Sequence, residues 1–402
     1  MKVLHVITGL GVGGAELQLR SLLRHTRHES DVVTLYNPGP VAEMIVADGG
    51  RVRDLGMTGN TELSAVLRLA ALMRRGRYEV VHVHLYRSCI YGRLAARLAG
   101  VPVVVTTEHS IGETHLERRA MTSGVRALYL ASDVCSDVTI AVSPAVRTRL
   151  ARWGVPERKI EIIPNGLDLD RVAADPVAGA EVRDQLGLPA GATVVGVLGW
   201  LDPNKRFDMV IEAAAPLLGP GLRLLVVGDG AERAHLEAVA RASGAADWIT
   251  FAGERHDVAA VLSALDLFVA SSEQETFGLS VLEALTNGVP ALYTTCPALE
   301  GLATDRARHV PGTAEGLRGA MAEELASPRP RRSEPLVIAH YGMAGVTTRI
   351  DDLYERIAAR RRPLPGITEV LPPLPTPRPA DSPSAPSAPS APSTPSSLVG
   401  GA

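Results

Sequence analysis

The sequence predicts an α/β protein of two lobes, each a parallel sheet wrapped by helices, with a cleft between them. Three observations predict it. Short β-branched runs alternate with helix-spaced segments, which is how sheets buried on both faces read in sequence. A stretch rich in Pro, Gly and Asp, PNGLDLDRVAADPVAG at 164–179, interrupts the alternation, and the same pattern restarts after it. In each half a loop with glycine or charge sits between a strand and a helix, where such sheets gather ligands.

In the first half the strands are expected at VLHVIT (3–8), SDVVTLY (30–36), VVHVHL (80–85), VPVVVTT (101–107), VTIAVS (138–143) and IEIIP (160–164). Helical spacing covers 15–24, 61–75, 88–98, 115–131 and 144–153. In the second half TVVGVLG (193–199), LRLLVVG (222–228), DWITFAG (247–253), LDLFVAS (265–271) and VPALYTT (289–295) read as strands. Helices are expected over 205–218, 231–243, 256–264 and 277–287. A last helix over 341–360 carries Ile350, Leu353 and Ile357 at spacings of three and four. Residues 363–402 are rich in proline with repeated Ser-Ala-Pro, a composition that cannot build a core, and are expected to be disordered.

Composition narrows the function. The chain has 402 residues, 46% hydrophobic and 21% charged, which suits two folded cores. A formal charge of −3 offers no broad positive field for nucleic acid, and no nucleic-acid partner is expected. Cys89, Cys135 and Cys296 are few and scattered, so they read as free thiols of a reducing compartment. The expected location is the cytoplasm, with room for contact at the inner membrane face. The mixed basic and apolar stretch ETHLERRAMTSGVRALYLA (113–131) could lie on an anionic membrane or pack as a helix in the first lobe.

Gly9, Gly11 and Gly14 satisfy GxGxxG after the first strand. Such a turn brings backbone N–H groups near a phosphate at a helix start. A dinucleotide-dependent dehydrogenase would also need an acid at the end of the second strand to hold a ribose. Tyr36 and Asn37 stand there instead.

The richest segment is SSEQETFGLSVLEALTNGVP (271–290), with Glu275 and Glu283 eight residues apart. On one helix that spacing gives about 12 Å of rise and roughly 80° of offset, so the two carboxylates would not stack. Glu275 therefore belongs in the loop before the helix and Glu283 inside it. Free N–H groups from Phe277 through Gly278 and Leu279 to Ser280 could then hold a diphosphate, with Glu283 toward a ribose diol and Glu275 toward sugar hydroxyls. In GWLDPNKRFD (199–208), Lys205 stands near a helix start, where an ammonium could steady a leaving phosphate. It is one of three lysines, with Lys2 and Lys159. His109 follows a strand at the same kind of edge and could donate to a sugar hydroxyl. His82 and His84 share one strand face and read as structural, with no metal site expected.

Over residues 1–360 these pieces resemble the retaining glycosyltransferases of family 4, within glycosyltransferase group 1. The resemblance rests on Gly11, Gly13, Gly14 and Glu16 in the early loop, on Pro164, Asn165, Gly166 and Asp168, and on Gly199 through Lys205. It rests further on Phe251 to Asp257, on Glu275 and Glu283, and on His109. Two segments depart from the pattern: Trp200 replaces the usual arginine after Gly199, and Cys296, Pro297 and Ala298 stand where a glycine pair is usual, with Glu300 able to take the place of the glutamate that follows it.

The resemblance implies the GT-B architecture, two Rossmann-like domains facing across a cleft. Residues 1–170 would be the acceptor-side domain, 171–340 the nucleotide-sugar domain, and 341–362 a helix packing back across both. It implies transfer of a hexosyl unit, with retention, from a UDP- or GDP-sugar to a hydroxyl of a carbohydrate, a lipid-linked or a small-molecule acceptor. No cofactor beyond the nucleotide-sugar co-substrate is implied, and metal independence is expected. His109, Lys205 and Glu275 would serve catalysis; Gly13, Gly14, Lys205, Arg206, Phe277, Gly278, Leu279 and Glu283 would bind the donor. A nucleotide-sugar epimerase, or a catalytically weak sugar-nucleotide-binding protein, remains open on the residues alone.

Overall fold

The structure, a computed structural model, describes residues 1–361 apart from 60, 113, 114, 117 and 118. The side chains of 113–120 and the expected disordered tail lie outside the described residues. Strands β1 (Lys2–Ile7), β2 (Glu29–Thr34), β3 (Arg51–Asp54), β4 (Val80–His84) and β5 (Val103–Glu108) come first. A small antiparallel hairpin, β6 (His115–Leu116) and β7 (Arg119–Ala120), precedes β8 (Val138–Ala141) and β9 (Ile160–Ile162). The second lobe holds β10 (Thr193–Leu198), β11 (Leu222–Val227), β12 (Ile249–Gly253), β13 (Leu267–Ala270), β14 (Ala291–Tyr293) and β15 (Ala307–His309).

The first sheet has the order β3-β2-β1-β4-β5-β8-β9 and the second β12-β11-β10-β13-β14-β15, with parallel neighbours throughout. The two Rossmann-like domains expected from the sequence are therefore present. In each sheet the chain steps outward from its first strand in one direction and then in the other. Connections leaving β1 and β4, or β10 and β13, diverge and open a crevice at the strands' carboxyl ends. Each lobe thus carries one topological switch point, and the candidate site residues cluster at these two edges.

Both sheets are buried on both faces, which explains the nearly continuous valines. Val3, Leu4, Val6 and Ile7 of β1 and Val80, Val81 and Val83 of β4 are all fully buried. Each contributes about 1.5–3 kcal/mol of burial, so the strands anchor their loops rigidly. The Met343–Arg361 helix returns to the first lobe, where Ile350, Leu353, Tyr354 and Ile357 join the core cluster around Val3 and Ile7. Its Asp351 accepts from the Thr26 hydroxyl at 2.8 Å and the Arg27 amide at 3.1 Å.

The segment 115–131 differs from the expected single helix. Its first part forms the hairpin, and a helix runs only over Ser123–Asp133. Thr122 caps that helix, its hydroxyl accepting from the Val125 amide, so helical spacing upstream of the cap never becomes helix. No helix among the described residues is long and apolar enough to cross a membrane.

Candidate active site

At the first switch point, β1 runs into the loop Gly9–Gly14. A Cβ on Gly9 would lie 3.1 Å from the carbonyl oxygens of Tyr36 and Asn37, so glycine lets this loop rest against the end of β2. Gly13 precedes the Gly14–His25 helix, whose N-terminus no side chain caps. A Cβ on Gly14 would lie 3.7 Å from Leu279 Cδ1, so the glycine loop faces the second lobe's helix directly.

At the second switch point two loops are sewn together. The Asn204 side chain donates to Gln274 O at 2.9 Å and accepts from the Gln274 amide at 3.0 Å, while the Asn204 carbonyl accepts from the Glu273 amide at 2.9 Å. The Ser271 hydroxyl donates to Lys205 O at 2.6 Å. The loop after β10 and the loop after β13 therefore move as one unit. Lys205 Nζ donates to Glu275 Oε1 at 2.7 Å, and the Ser272 hydroxyl donates to the same oxygen at 2.8 Å. Burial works against the Lys205 charge, but the Glu275 carboxylate outweighs it and holds the ammonium above its ordinary range. Arg206 adopts the left-handed region at φ 49° before the Phe207–Ala214 helix, and its guanidinium makes no hydrogen bond or ion pair with another described residue. A second pair of glycines supports these loops. A Cβ on Gly228 would lie 1.9 Å from Gly199 O, and one on Gly230 would lie 2.3 Å from Leu201 O.

Gly278 opens the Leu279–Asn287 helix at φ +98°, and no side chain caps that helix start. A Cβ there would stand 2.5 Å from Cys296 Sγ, so both the dihedral and the space require glycine. Burial pushes the Cys296 thiol up to about 12, leaving it a protonated packing group. The Phe277 ring is buried edge-on to Tyr341, with ring centroids 5.3 Å apart. Expected at the donor, Phe277 gives its side chain to the core and only its backbone to the loop. The helix start presents N–H groups and the positive end of its dipole, a ready place for an oxyanion.

The two glutamates separate. Glu275 pairs with Lys205, whereas Glu283 is buried within the helix and pairs with Arg171 of the Leu169–Val172 helix in the connection between lobes. Burial raises the Glu283 carboxyl, and Arg171 pulls against that shift. Trp200 is 44% exposed, and Glu300 is exposed just beyond the short turn Pro297–Leu299. In the segment 251–257, Arg255 pairs with Asp257 and the Arg233 guanidinium lies 5.2 Å from the Phe251 ring centroid.

His109 lines a cavity with Gln18, His84, Thr107 and Asn165. Its Nε2 stands 3.3 Å from His84 Nδ1. Burial lowers its pKa to about 4, against a hydrogen bond with Asn165, so the imidazole is neutral at ordinary pH and available for hydrogen bonding. Behind it, His84 Nε2 meets His5 Nδ1 at 3.1 Å, and His82 meets Tyr354 and Thr107 hydroxyls at 2.6 Å each. His5, His82 and His84 are close enough to surround a metal ion. Both nitrogens of His82 and of His84 are instead engaged within this chain of hydrogen bonds.

Several contacts tie the first lobe to the connection and, at Thr276 and Glu275, to the second lobe. Gln18 brackets Gly166 of the connection, donating to its carbonyl at 2.6 Å and accepting from its amide at 2.8 Å. Arg24 reaches Asp168 at 2.9 Å, Ser143 donates to Thr276 O at 2.6 Å, and Arg149 donates to both Ile111 O and Glu275 O.

Two switch points opposed across one cleft, with an oxyanion seat on one side and a glycine loop on the other, are the build of a GT-B glycosyltransferase. Residues 12–171 match the family described as Glycosyltransferase Family 4, and 180–332 match Glycosyl transferases group 1. A GDP-mannose-dependent alpha-mannosyltransferase of Mycobacterium tuberculosis is 30% identical over 298 residues, 70% of this chain and 74% of that protein. A 2-deoxystreptamine N-acetyl-D-glucosaminyltransferase of Streptomyces fradiae is 31% identical over 314 residues, 69% of this chain and 74% of that protein. The crystal structure of Anabaena HepE in complex with UDP and glucose shares the fold with a TM-score of 0.79 at 20% identity, covering 89% of this chain and 100% of that one. The chain belongs to this family: it is a GT-B glycosyltransferase related to family 4 and group 1.

Proposed function

We propose that this glycosyltransferase moves a hexosyl unit from a UDP- or GDP-sugar to a hydroxyl acceptor, retaining the anomeric configuration and needing no metal. The observation that carries the reading is the Lys205–Glu275 pair beside the uncapped Gly278 helix start, at the second lobe's switch point. As the glycosidic bond breaks, negative charge grows on the diphosphate. Lys205, Arg206 and the N–H groups from Gly278 onward are fixed donors for that charge and need no reorganisation. Trp200 adds no charge, so this seat depends on those groups.

In this reading the two carboxylates serve different parts of the donor. Glu275 orients sugar hydroxyls while holding Lys205, and Glu283 receives the ribose diol within reach of Arg171. Neutral His109 hydrogen-bonds the sugar from the first lobe. The acceptor hydroxyl attacks on the face the diphosphate leaves, and the diphosphate oxygen takes its proton, so no side chain forms a covalent sugar bond. Contacts across the lobes support a closed cleft that excludes water from a reactive sugar cation.

The acceptor is a carbohydrate, small-molecule or lipid-linked hydroxyl held by the first lobe. Exposed Leu94, Leu98 and Leu128 on neighbouring helices support contact with a membrane surface in the cytoplasm. Calorimetric titration with UDP- and GDP-sugars, followed by mass spectrometry and anomeric proton couplings of the product, tests the reading. A new glycoside of unchanged anomeric configuration in chelator-treated buffer is expected. An epimerised free donor, an inverted product or a metal requirement contradicts it.

A further inference from the structure

We propose that Arg87 recognises a phosphate-type oxyanion on the acceptor. The proposal rests on the glycosyl-transfer reading and specifies which acceptors the first lobe takes.

Arg87 is the second residue of the 14-residue helix Tyr86–Ala99, which starts directly after β4. That start flanks the first lobe's switch point, across from the Gly9–Gly14 loop leaving β1. No side chain caps the helix, and Leu85 before it sits at φ 74°. Arg87 is only 9% exposed. Its guanidinium lies 4.8 Å from the Tyr36 ring centroid, at the end of β2 where the glycine loop rests.

The other deeply buried arginines each have protein acceptors, although Arg93 Nη2 and Arg306 Nε are left without a hydrogen bond among the described residues. Arg93 donates to Thr106 at 2.9 Å and to Ser132 at 3.1 Å and stands 3.4 Å from Asp133; Arg306 donates to Gly288 O at 3.1 Å. Arg87 has no hydrogen-bond acceptor and no carboxylate among the described residues. Glu62, which acts on the same Tyr91 hydroxyl as Arg87, is committed to Arg68, to Ser64 at 3.1 Å and to the Thr58 amide at 3.0 Å. Arg87 keeps 9% of its surface exposed, so the residue is not fully sealed from a ligand.

A guanidinium this buried with no anion is costly to fold around unless a ligand supplies one. The tyrosine face attracts the cation but accepts no in-plane hydrogen bonds, leaving the N–H fork free. The fork matches two oxygens of a phosphate, and the adjacent helix start adds its positive dipole end. The donor diphosphate has its own seat at Lys205 and Arg206 in the opposite lobe. The anion at Arg87 therefore belongs to the acceptor, and the acceptors preferred are hydroxyl compounds bearing a phosphate.

The test uses the full chain saturated with UDP, titrated with inorganic phosphate against chloride at constant ionic strength. Calorimetry and thermal unfolding are the readouts. Wild-type protein is expected to bind phosphate, Arg87→Gln to bind it at least about tenfold more weakly, and Arg87→Lys to fall between, since lysine keeps the charge without the planar fork. In phosphate-free buffer Arg87→Met is expected to unfold at the same temperature as wild type or higher, because an unpaired buried cation is gone. Vesicles of phosphatidylcholine with and without phosphatidic acid identify the source. Arg87-dependent pelleting assigns the phosphate to a lipid, and phosphate binding without pelleting assigns it to a soluble acceptor. The proposal is overturned if wild type binds no phosphate, if Arg87→Gln binds it equally well, or if Arg87→Met is destabilised without phosphate. UDP affinity is read separately: phosphate binding through Arg87 in a protein that ignores UDP would refute the donor reading and leave this site standing.

Discussion

At the scale of single residues, the proposed chemistry of the second lobe rests on Lys205 and Glu275. Their pairing keeps an ammonium charged at a partly buried edge, so the group is ready before the donor arrives. Lys205→Ala is expected to slow transfer on the order of 10²- to 10³-fold, with a much smaller change in donor KM, because the charge matters most as the bond breaks. Steady-state kinetics check this, and an equal rise in KM alone would contradict it. Glu283→Ala is expected to weaken donor binding instead, since its place inside the helix suits the ground-state ribose. Gly278→Ala combines a left-handed backbone with a Cβ 2.5 Å from Cys296 Sγ, so a loss of roughly 1–3 kcal/mol in urea unfolding is expected. Lys205, Glu275 and Gly278 were legible because each is rare or spaced in a way that chemistry explains. Arg171 and Asn204 were not, since an arginine in the connection and an asparagine in a turn gain their roles only from partners at Glu283 and Gln274, far along the chain. Arg87 was hidden among many arginines until its burial was known.

The elements were legible where burial wrote them. β1, β4, β5, β10 and β11 are covered on both faces and so read as valine-rich runs. β3 and β15 lie at sheet edges and read RVRD and ARH, with too few apolar residues to announce a strand. Around 115–131 apolar spacing suggested one helix, but the Thr122 cap decided where the helix begins. The strand histidines give this level its own test. Burial lowers His5 to about 3 and His109 to about 4, and pushes His82 and His84 well below the ordinary 6.5. The unfolded chain takes up these protons first. Their contribution to stability is therefore complete above pH 6.5 and is lost as pH falls toward 4. Each site contributes a slope of up to about 1.4 kcal/mol per pH unit in that window. Glu108 acts oppositely: burial raises it to about 7, so its contribution is full below pH 4.5 and lost as pH rises through 7. Urea midpoints are expected to drop steeply between pH 6.5 and 4, and less steeply in His5→Phe. A midpoint indifferent to pH in that window would contradict the buried-imidazole account.

Across the whole molecule, function depends on two rigid sheets meeting through a few polar contacts. Ser143 donates to Thr276 O and Arg149 to Glu275 O across the lobes, while Gln18 brackets Gly166 of the connection with both ends of its amide and Arg24 holds Asp168 nearby. Gln18→Ala is expected to loosen closure, raising the ratio of free sugar to glycoside because water enters the cleft. Mass spectrometry of the products reads that ratio, and an unchanged ratio would show that closure does not pass through this contact. The two-lobe plan was plain from the repeated alternation on either side of 164–179, whereas the contacts across the cleft, which join positions far apart in sequence, were not. The most direct test of the phosphate seat is calorimetry with UDP or GDP, whichever binds more tightly, and with its monophosphate. In wild type the diphosphate should bind well over the monophosphate, and Lys205→Ala combined with Arg206→Ala should erase most of that advantage. If the double variant keeps the full preference for the second phosphate, the diphosphate is held elsewhere.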